Sequence, residues 1–257
     1  MSKLRTKPHS SHKLRQVQVR RLDKGKRACY GSIIMNPDIK SAAIGFLPFL
    51  FAICFHEYAH GWVARLKGDR TAEIMGRLTL NPMAHADLVG TIILPLFGFL
   101  FPGFMMFGWA KPVPVDYRNL KNPRADIFWV ALAGPLSNIL LGFVGVIVLW
   151  AVAMFGGQLS GGGHGFLKES AISFIRINTS LAVFNMIPIH PLDGGKIIAR
   201  FLPYSINRML EDNEQTLALV LMALVFTGGL GFVLKYPFMA VMGVYEAFLH
   251  LLIGVMA

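Results

Sequence analysis

The chain has little charge. Of its 257 residues, 15% are Asp, Glu, Lys or Arg and 54% are hydrophobic, and the mean hydropathy is +0.52. A typical soluble domain carries about 25% charged residues, which cover its surface with groups that bind water. The scarcity of charge therefore argues against a soluble protein and predicts one polytopic membrane domain.

Cysteine is also scarce. The two cysteines, Cys29 and Cys54, do not suggest a disulfide framework. Cys54 lies in an apolar run, where we expect a small buried hydrophobic residue. The sequence also lacks the alternating pattern of a membrane barrel, an internal repeat, and the apolar core and cleavage site of a secretory signal peptide.

Positive charge is concentrated at the N-terminus. Residues 1–27 carry ten Lys or Arg and a single acid. A basic tail can bind nucleic acid, but this one has no aromatic residue before Tyr30 and precedes an apolar domain. We therefore expect a disordered tail, residues 1–34, that lies against anionic lipid, and no nucleic-acid partner. Residues 35–257 then form the membrane domain, and Met35 could be an alternative start.

Six apolar segments follow the tail. A helix needs about 20 apolar residues to cross the hydrocarbon core, where unpaired backbone groups are not tolerated. We therefore predict an all-α polytopic membrane protein with five or six hydrophobic segments, one of which either crosses the membrane or is re-entrant. The segments cover residues 39–64, 88–107, 127–155, 171–198, 216–234 and 236–257.

The second of these segments, residues 88–107, is interrupted by prolines and glycines in "LPLFGFLFPGF". Such a segment is re-entrant as readily as it is membrane-crossing. The stretch that follows, "FGWAKPVPVDYRNLKNP", is rich in proline and charge. Because proline favours extended backbone in its neighbours, we predict a short extended or β loop at the membrane edge.

The stretch "AICFHEYAHGW" places ionisable groups inside the first apolar segment. His56 and His60 are four residues apart, so on a helix both can bind one metal ion, and Glu57 can act on a metal-bound water. Zinc accepts neutral imidazole ligands and lowers the pKa of bound water to about 7. Ionisable groups within a span are costly and therefore suggest function. The alternative is a histidine pair satisfied by hydrogen bonds at a helix end.

A catalytic zinc ion needs a third protein ligand and one open position. The metzincin pattern fails, because Val63 and Leu66 occupy its glycine and histidine positions. Glu73 lies in a polar stretch that predicts a solvated loop. Asp193, in "FNMIPIHPLDGGKI", is the better candidate, because two prolines interrupt the preceding apolar run and can turn a carboxylate inward. An ordinary turn is the alternative interpretation of this stretch.

A third polar feature is "ALAGPLSNILLG", inside an otherwise uncharged segment. Gly134 and Pro135 are expected to kink the helix and expose a carbonyl, and Asn138 offers an amide about one turn later. Small residues here would also suit close helix packing, and the two interpretations are compatible.

Together these motifs resemble the site-2 protease family of intramembrane zinc metalloproteases. The stretches "GRLTLNPMAHADLVGTIILP" and "FGWAKPVPV" resemble its compact branch, which lacks a PDZ domain. The resemblance implies that His56, His60 and Asp193 bind one zinc ion and that Glu57 is the catalytic acid/base. It also suggests that Asn138 holds substrate or the developing oxyanion.

The resemblance further implies a multi-pass protein of a prokaryotic plasma membrane that cleaves transmembrane-helix protein substrates within or at the edge of their membrane segments. His85 and Asp87 have no assigned role; they could order their loop or support the metal ligands. The rival interpretation is a transporter or channel with a metal or proton site. Glu246 and His250, four residues apart in the last segment, would suit a proton relay, but a transporter does not require Glu57 beside a chelating pair.

The depth of the metal ligands constrains the topology. The two histidines lie late in the first segment, and Asp193 lies late in the fourth. If both segments are complete spans, they must run in the same direction to meet at one ion, but two full crossings between them would make them antiparallel. Either residues 88–107 are therefore re-entrant, or the helix that holds Asp193 is broken and doubles back.

Overall fold

The computed structural model describes residues 39–95, 108–156 and 163–255. The regular secondary structure in these ranges is helical, with no β-strand, which confirms the predicted all-α class for the described part of the chain. The basic tail, residues 1–34, lies outside it. The α-helices are α1 (Ile39–Leu66), α2 (Thr71–Ile74), α3 (Pro82–His85), α4 (Pro123–Phe155), α5 (Gly163–Asn185), α6 (Asp193–Ala199), α7 (Tyr204–Asp212), α8 (Glu214–Phe226) and α9 (Gly229–Val255).

Two of these helices are long and apolar enough to cross a membrane. They are α4, with 33 residues, and α9, with 27 residues. Proline occupies the first position of α4, where its missing N–H is not needed and its fixed φ favours the helix. Large apolar side chains such as Leu140 and Leu251 face outward from these helices, as expected where lipid replaces water.

Contacts between the long helices define their directions. Asn138 of α4 contacts Ala52 and His56 of α1, while Val130, earlier in α4, contacts His60. The two helices are therefore antiparallel. A side chain at Gly145 of α4 would meet Ile175 of α5, whereas Asn138 bonds to the later Asn178. Since α5 is thus also antiparallel to α4, α1 and α5 run in the same direction.

Residues on either side of the stretch 96–107 lie next to each other. A π-helix, Leu88–Ile93, begins this segment, and the carboxylate of Asp87 accepts hydrogen bonds from the first N–H groups of that helix. The N–H of Trp109 donates to Gly90 O at 3.1 Å, and Thr91 Oγ1 donates to Trp109 O at 2.7 Å. The chain therefore returns at residue 108 to the place it left. The re-entrant prediction concerns residues 88–107, of which residues 96–107 lie outside the described residues.

The fourth predicted segment, residues 171–198, is broken. Helix α5 ends at Asn185, and Asp193 begins α6 after a tight turn. A Cβ at Gly194 would lie 2.2 Å from Ile187 O, and one at Gly195 would lie 2.7 Å from His190 N. The two glycines are needed because any side chain there would collide with the turn. The predicted break of this helix is confirmed.

The boundary between the last two segments differs from the prediction. We expected residues 216–234 and 236–257, but the chain turns at Gly228, whose φ of +75° favours glycine. Helix α8 has 13 residues and is about 20 Å long, shorter than the hydrocarbon core of about 30 Å. The predicted β character of the edge loop is also not found, since residues 108–116 adopt no regular secondary structure.

Candidate metal centre and active site

Three potential metal ligands converge between α1 and α6. Nε2 of His56 lies 3.1 Å from Oδ2 of Asp193, and Nε2 of His60 lies 3.2 Å from the same oxygen. The two Nε2 atoms are 3.0 Å apart. Ligand atoms that are each about 2.0–2.2 Å from a tetrahedral zinc ion lie about 3.3 Å from one another. The spacing therefore fits one zinc ion.

The outer nitrogens of both imidazoles are held by α4. Nδ1 of His56 lies 2.6 Å from Oδ1 of Asn138, and Nδ1 of His60 lies 2.6 Å from Val130 O. Both acceptors require a protonated Nδ1, so each neutral ring presents a lone pair at Nε2. Two lone pairs and a carboxylate oxygen then face one another among buried side chains, an arrangement that a cation stabilises.

Gly134 lets α4 approach the histidines. A Cβ built at this position would lie 2.3 Å from His60 Nε2 and 2.6 Å from His56 Cε1. Any other residue would therefore displace the metal ligands. The backbone carbonyl of Gly134 accepts a hydrogen bond from Ser137 Oγ at 2.7 Å. Pro135 lacks the N–H that would donate to the carbonyl of Ala131 one turn earlier.

Glu57 lies beside the three ligands and faces the same cavity. Its Oε2 accepts a hydrogen bond from the N–H of Val113 at 2.8 Å. This bond joins α1 to the proline-rich loop 108–116, which the sequence analysis placed at the membrane edge. The carboxylate is therefore oriented by the backbone while its second oxygen remains available to a substrate or water.

Asp69 anchors this loop from the end of α1. Its carboxylate accepts hydrogen bonds from Asp116 N at 2.8 Å and from Asn119 Nδ2 at 3.1 Å, as well as from the backbone and hydroxyl of Thr71. Burial alone would raise the pKa of Asp69, but these hydrogen bonds to the charged form outweigh burial and lower it. The charged carboxylate therefore ties the loop to α1.

A cavity of about 280 Å³ opens at the metal ligands. Its walls come from α1, the loop 108–116, α4, the turn after α5, and α6. Asn185, the last residue of α5, lines it, as does Lys196, whose Nζ lies 4.0 Å from Oδ1 of Asp193. Neither residue was predicted from the sequence to have a role, although both lie inside the quoted motif around Asp193.

Asn138 is fully buried and does not line this cavity. Its amide nitrogen donates to Ala52 O at 3.1 Å and to Asn178 Oδ1 at 2.9 Å, while its oxygen faces His56. All its polar atoms thus contact protein groups. Asn178, which the sequence analysis missed, is also fully buried and donates in turn to Phe174 O.

Three further residues considered from the sequence lie outside the metal cluster. His85 is buried, and its Nε2 lies 2.7 Å from Thr79 O. Asp87 caps the π-helix, so both residues order their loop. Glu73 pairs with Arg65 and Arg70, consistent with the solvated stretch expected there. In the described ranges, the cluster suited to a metal consists of His56, His60 and Asp193.

Comparisons with known proteins agree with this geometry. The model of peptidase family M50 matches residues 44–175 and 163–228. YwhC of Bacillus subtilis, which is named as a zinc metalloprotease, is 34% identical over 191 residues, covering 74% of this chain and 83% of YwhC. Rip2 of Mycolicibacterium smegmatis, named in the same way, is 28% identical over 200 residues, 76% of this chain and 73% of its own. No solved structure matches the chain.

The family match covers most of the chain and includes every metal ligand described above. The family is embedded in membranes, in keeping with the apolar helices α4 and α9. The relatives share the zinc-metalloprotease name, and the donor atoms fit zinc. The chain therefore belongs to peptidase family M50, the site-2 protease family, and is a zinc metalloprotease.

Proposed function

We propose that this protein is an intramembrane endopeptidase that hydrolyses peptide bonds within or at the edge of transmembrane segments of membrane-protein substrates. The observation that carries the proposal is the position of Glu57. It faces the same cavity as the three converging ligand atoms, and the cavity adjoins the apolar helix α4. A hydrolytic site placed among such helices is suited to substrates that lie in the bilayer.

Each residue has a distinct role in the proposed reaction. A zinc ion held by His56, His60 and Asp193 would supply Lewis-acid chemistry, polarising the scissile carbonyl and increasing the acidity of water. Glu57 takes a proton from the attacking water and passes it to the leaving amine. The N–H of Val113 fixes the Glu57 carboxylate for this transfer.

Asn138 and Asn185 are assigned different roles, whereas the sequence predicted substrate contact for Asn138. The buried Asn138 orients His56 through Nδ1, so we assign it a positioning role. Its proposed contact with substrate is still a prediction, and the position of its amide between Ala52 and Asn178 gives that contact no support. Asn185 lines the cavity. Its Nδ2 donates to Leu181 O at 2.9 Å, and the second N–H of this amide is better placed than Asn138 to donate to a substrate carbonyl or oxyanion.

The proposed arrangement is a multi-pass protein of a prokaryotic plasma membrane. The parallel course of α1 and α5 needs an odd number of crossings between the end of α1 and the start of α5, and a single crossing by α4 meets this requirement. Since residues 90 and 109 are hydrogen-bonded neighbours, we infer that segment 88–107 adds no net crossing. A re-entrant segment resolves the conflict between the depth of the metal ligands and the number of crossings. The break before Asp193 then serves to turn its carboxylate towards the histidines.

The loop 108–116 is proposed to present the substrate. Pro112, Val113 and Val115 line the cavity beside Glu57. A helical substrate hides its peptide bonds and must unwind, and an extended segment of this loop can pair with the unwound strand by edge addition. Replacement of "AKPVPV" by a flexible Gly/Ser linker should therefore reduce cleavage, and unchanged cleavage would refute this step.

The transporter alternative has less support. A metal or proton pathway needs a chain of polar groups that continues across the membrane. Asn138 and Asn178 do continue inward from His56, but both N–H groups of the Asn138 amide donate within the protein, and Asn178 donates to Phe174 O. Glu246 and His250 are exposed on the outside of α9, away from this chain of bonds.

The decisive experiment compares wild type, Glu57→Gln and Asp193→Asn after purification in detergent. Zinc content is measured together with cleavage of a transmembrane peptide and of a soluble peptide. We expect Glu57→Gln to retain zinc and lose cleavage, and Asp193→Asn to lose both. Equal cleavage by Glu57→Gln and wild type would overturn the role of Glu57, and cleavage restricted to a soluble peptide would overturn the intramembrane substrate.

A further inference from the structure

Two ionisable side chains of α9 lie on the outside of the helix bundle. Glu246 and His250 are exposed and four residues apart, so they occupy the same side of the helix. Neither makes a hydrogen bond or an ion pair with the part of the chain that the structure describes. The proposed protease mechanism uses neither of them.

These side chains lie at mid-depth of the bundle. Oη of Tyr245 donates to Ile139 O at 2.8 Å, and Ile139 is at the middle of α4 (Pro123–Phe155). Glu246 follows Tyr245, and His250 lies about 6 Å further along the axis. If α4 and α9 cross the membrane, as proposed above, Glu246 faces the centre of the hydrocarbon core, where an unpaired ionisable group is costly.

The face of α9 that carries this pair is separate from the face that packs on the bundle. Tyr245 and its neighbours pack against α4 and α5, with Val146 and Ile175 at the centre of the contact. On the opposite side, a Cβ at Gly243 would meet nothing within 4 Å, and Ala247 is exposed. A second helix can therefore approach this face closely between Glu246 and His250.

We propose that this face of α9 is the interface of a homodimer, in which Glu246 of one protomer accepts a hydrogen bond from His250 of its partner. We infer a second copy because this face is complementary to itself: it carries both an acid and a base, one turn apart. A twofold axis along the membrane normal places two such helices in parallel, so that the pair forms twice. A different protein would have to supply a matching pair of its own.

Cysteine cross-linking in membranes tests the interface. Ala247→Cys and, separately, Gly243→Cys are made in a background of Cys29→Ser and Cys54→Ala. The control is Leu140→Cys, which is 58% exposed on α4 at nearly the same depth. We expect oxidation to link the two α9 variants into dimers and to leave the control monomeric. Absence of dimers from both α9 variants, or equal dimer from the control, would overturn the proposal.

Charge exchange tests the pairing itself. In the cross-linking background, Glu246→His and His250→Glu should each lower the dimer fraction about fivefold, because one kind of partner is then missing. Co-expression of the two variants under different tags recreates both pairs, so the mixed dimer should return to the wild-type level. A mixed dimer no more abundant than either variant alone would refute the pairing.

Failure of the dimer proposal can be distinguished from failure of the proposed protease function. Glu57→Gln should abolish cleavage and leave cross-linking through Ala247→Cys unchanged, since Glu57 lies at the metal site and not on α9. Chemical labelling tests whether this face of α9 lies in the membrane. A membrane-impermeant maleimide should not modify Ala247→Cys in intact or inverted vesicles. Modification from either side would show that this face is in water and would overturn the dimer argument with it.

Discussion

The backbone N–H of Val113 donates a hydrogen bond to Oε2 of Glu57 at 2.8 Å. The two residues are 56 positions apart in the chain, and the bond joins the catalytic helix to a proline-rich loop. Asp69 holds the other end of that loop through Asp116 N. The orientation of the proposed acid/base therefore depends on a loop, and the loop depends on a carboxylate outside the cavity.

Val113→Pro should lower kcat about tenfold or more while zinc content stays unchanged. Proline lacks the N–H that Glu57 accepts, and a hydrogen bond to a charged group contributes about 1.5–3 kcal/mol. Val113→Ala is the matched control, because it keeps the N–H and removes only side-chain packing. Equal activity of the two variants would show that this hydrogen bond does not contribute to catalysis.

Gly134→Ala should lower zinc content sharply. The added methyl group would lie 2.3 Å from His60 Nε2, so the ring must move away from the metal position. Gly231→Ala is the control, because a Cβ there meets nothing within 4 Å. Zinc is measured by atomic spectroscopy after gel filtration. Full zinc occupancy in Gly134→Ala would contradict the close packing of α4 on the histidines.

Asn138→Ala should weaken zinc binding about 10–100-fold, the usual effect of removing a hydrogen-bond partner from a metal-bound histidine. Asn185→Ala should instead keep zinc affinity and lose turnover, since Asn185 lines the cavity without contacting a histidine. Zinc affinity is measured by competition with a chelating dye. If Asn138→Ala lost turnover alone, the substrate-contact role implied by the family resemblance would be favoured.

Asp69→Asn should destabilise the metal-free protein at neutral pH and much less in acid. The folded pKa of Asp69 is lowered, so its charged form stabilises the fold above the unfolded pKa of about 3.9 and ceases to do so as pH falls through the folded pKa. The difference in Tm between wild type and Asp69→Asn should therefore shrink below about pH 4. Glu73→Gln, at an exposed ion pair, is the control and should show little effect at any pH.

The convergence of His56, His60 and Asp193 could be predicted from the sequence because its signals are local. His56 and His60 share one helix face through their spacing, and the prolines and glycines around Asp193 mark a break that the structure contains. The all-α class followed equally from composition, since apolar segments of this length form helices in lipid.

The groups that support the ligands could not be predicted in the same way. Val130 O and Asn178 act through the register between helices, and Val130 is 70 residues from His60. A backbone carbonyl carries no sequence signal at all. Asn138 was found because it interrupts an apolar run, but the direction of its amide, towards His56 and away from the cavity, depends on how α4 is rotated. The turn at Gly228 differs from the predicted boundary, which fell at the charged residue Lys235 between the two apolar segments.

The hydrogen bond between Trp109 and Gly90 joins the chain before residues 96–107 to the chain after them. Because the chain enters and leaves residues 96–107 at one point, the catalytic helices do not depend on how long that segment is. Insertions or deletions there should be tolerated without altering the zinc site, provided that Gly90, Thr91 and Trp109 are kept. By contrast, α1, α4 and α5 contact one another around the potential metal ligands, so insertions within these helices should disturb the zinc site.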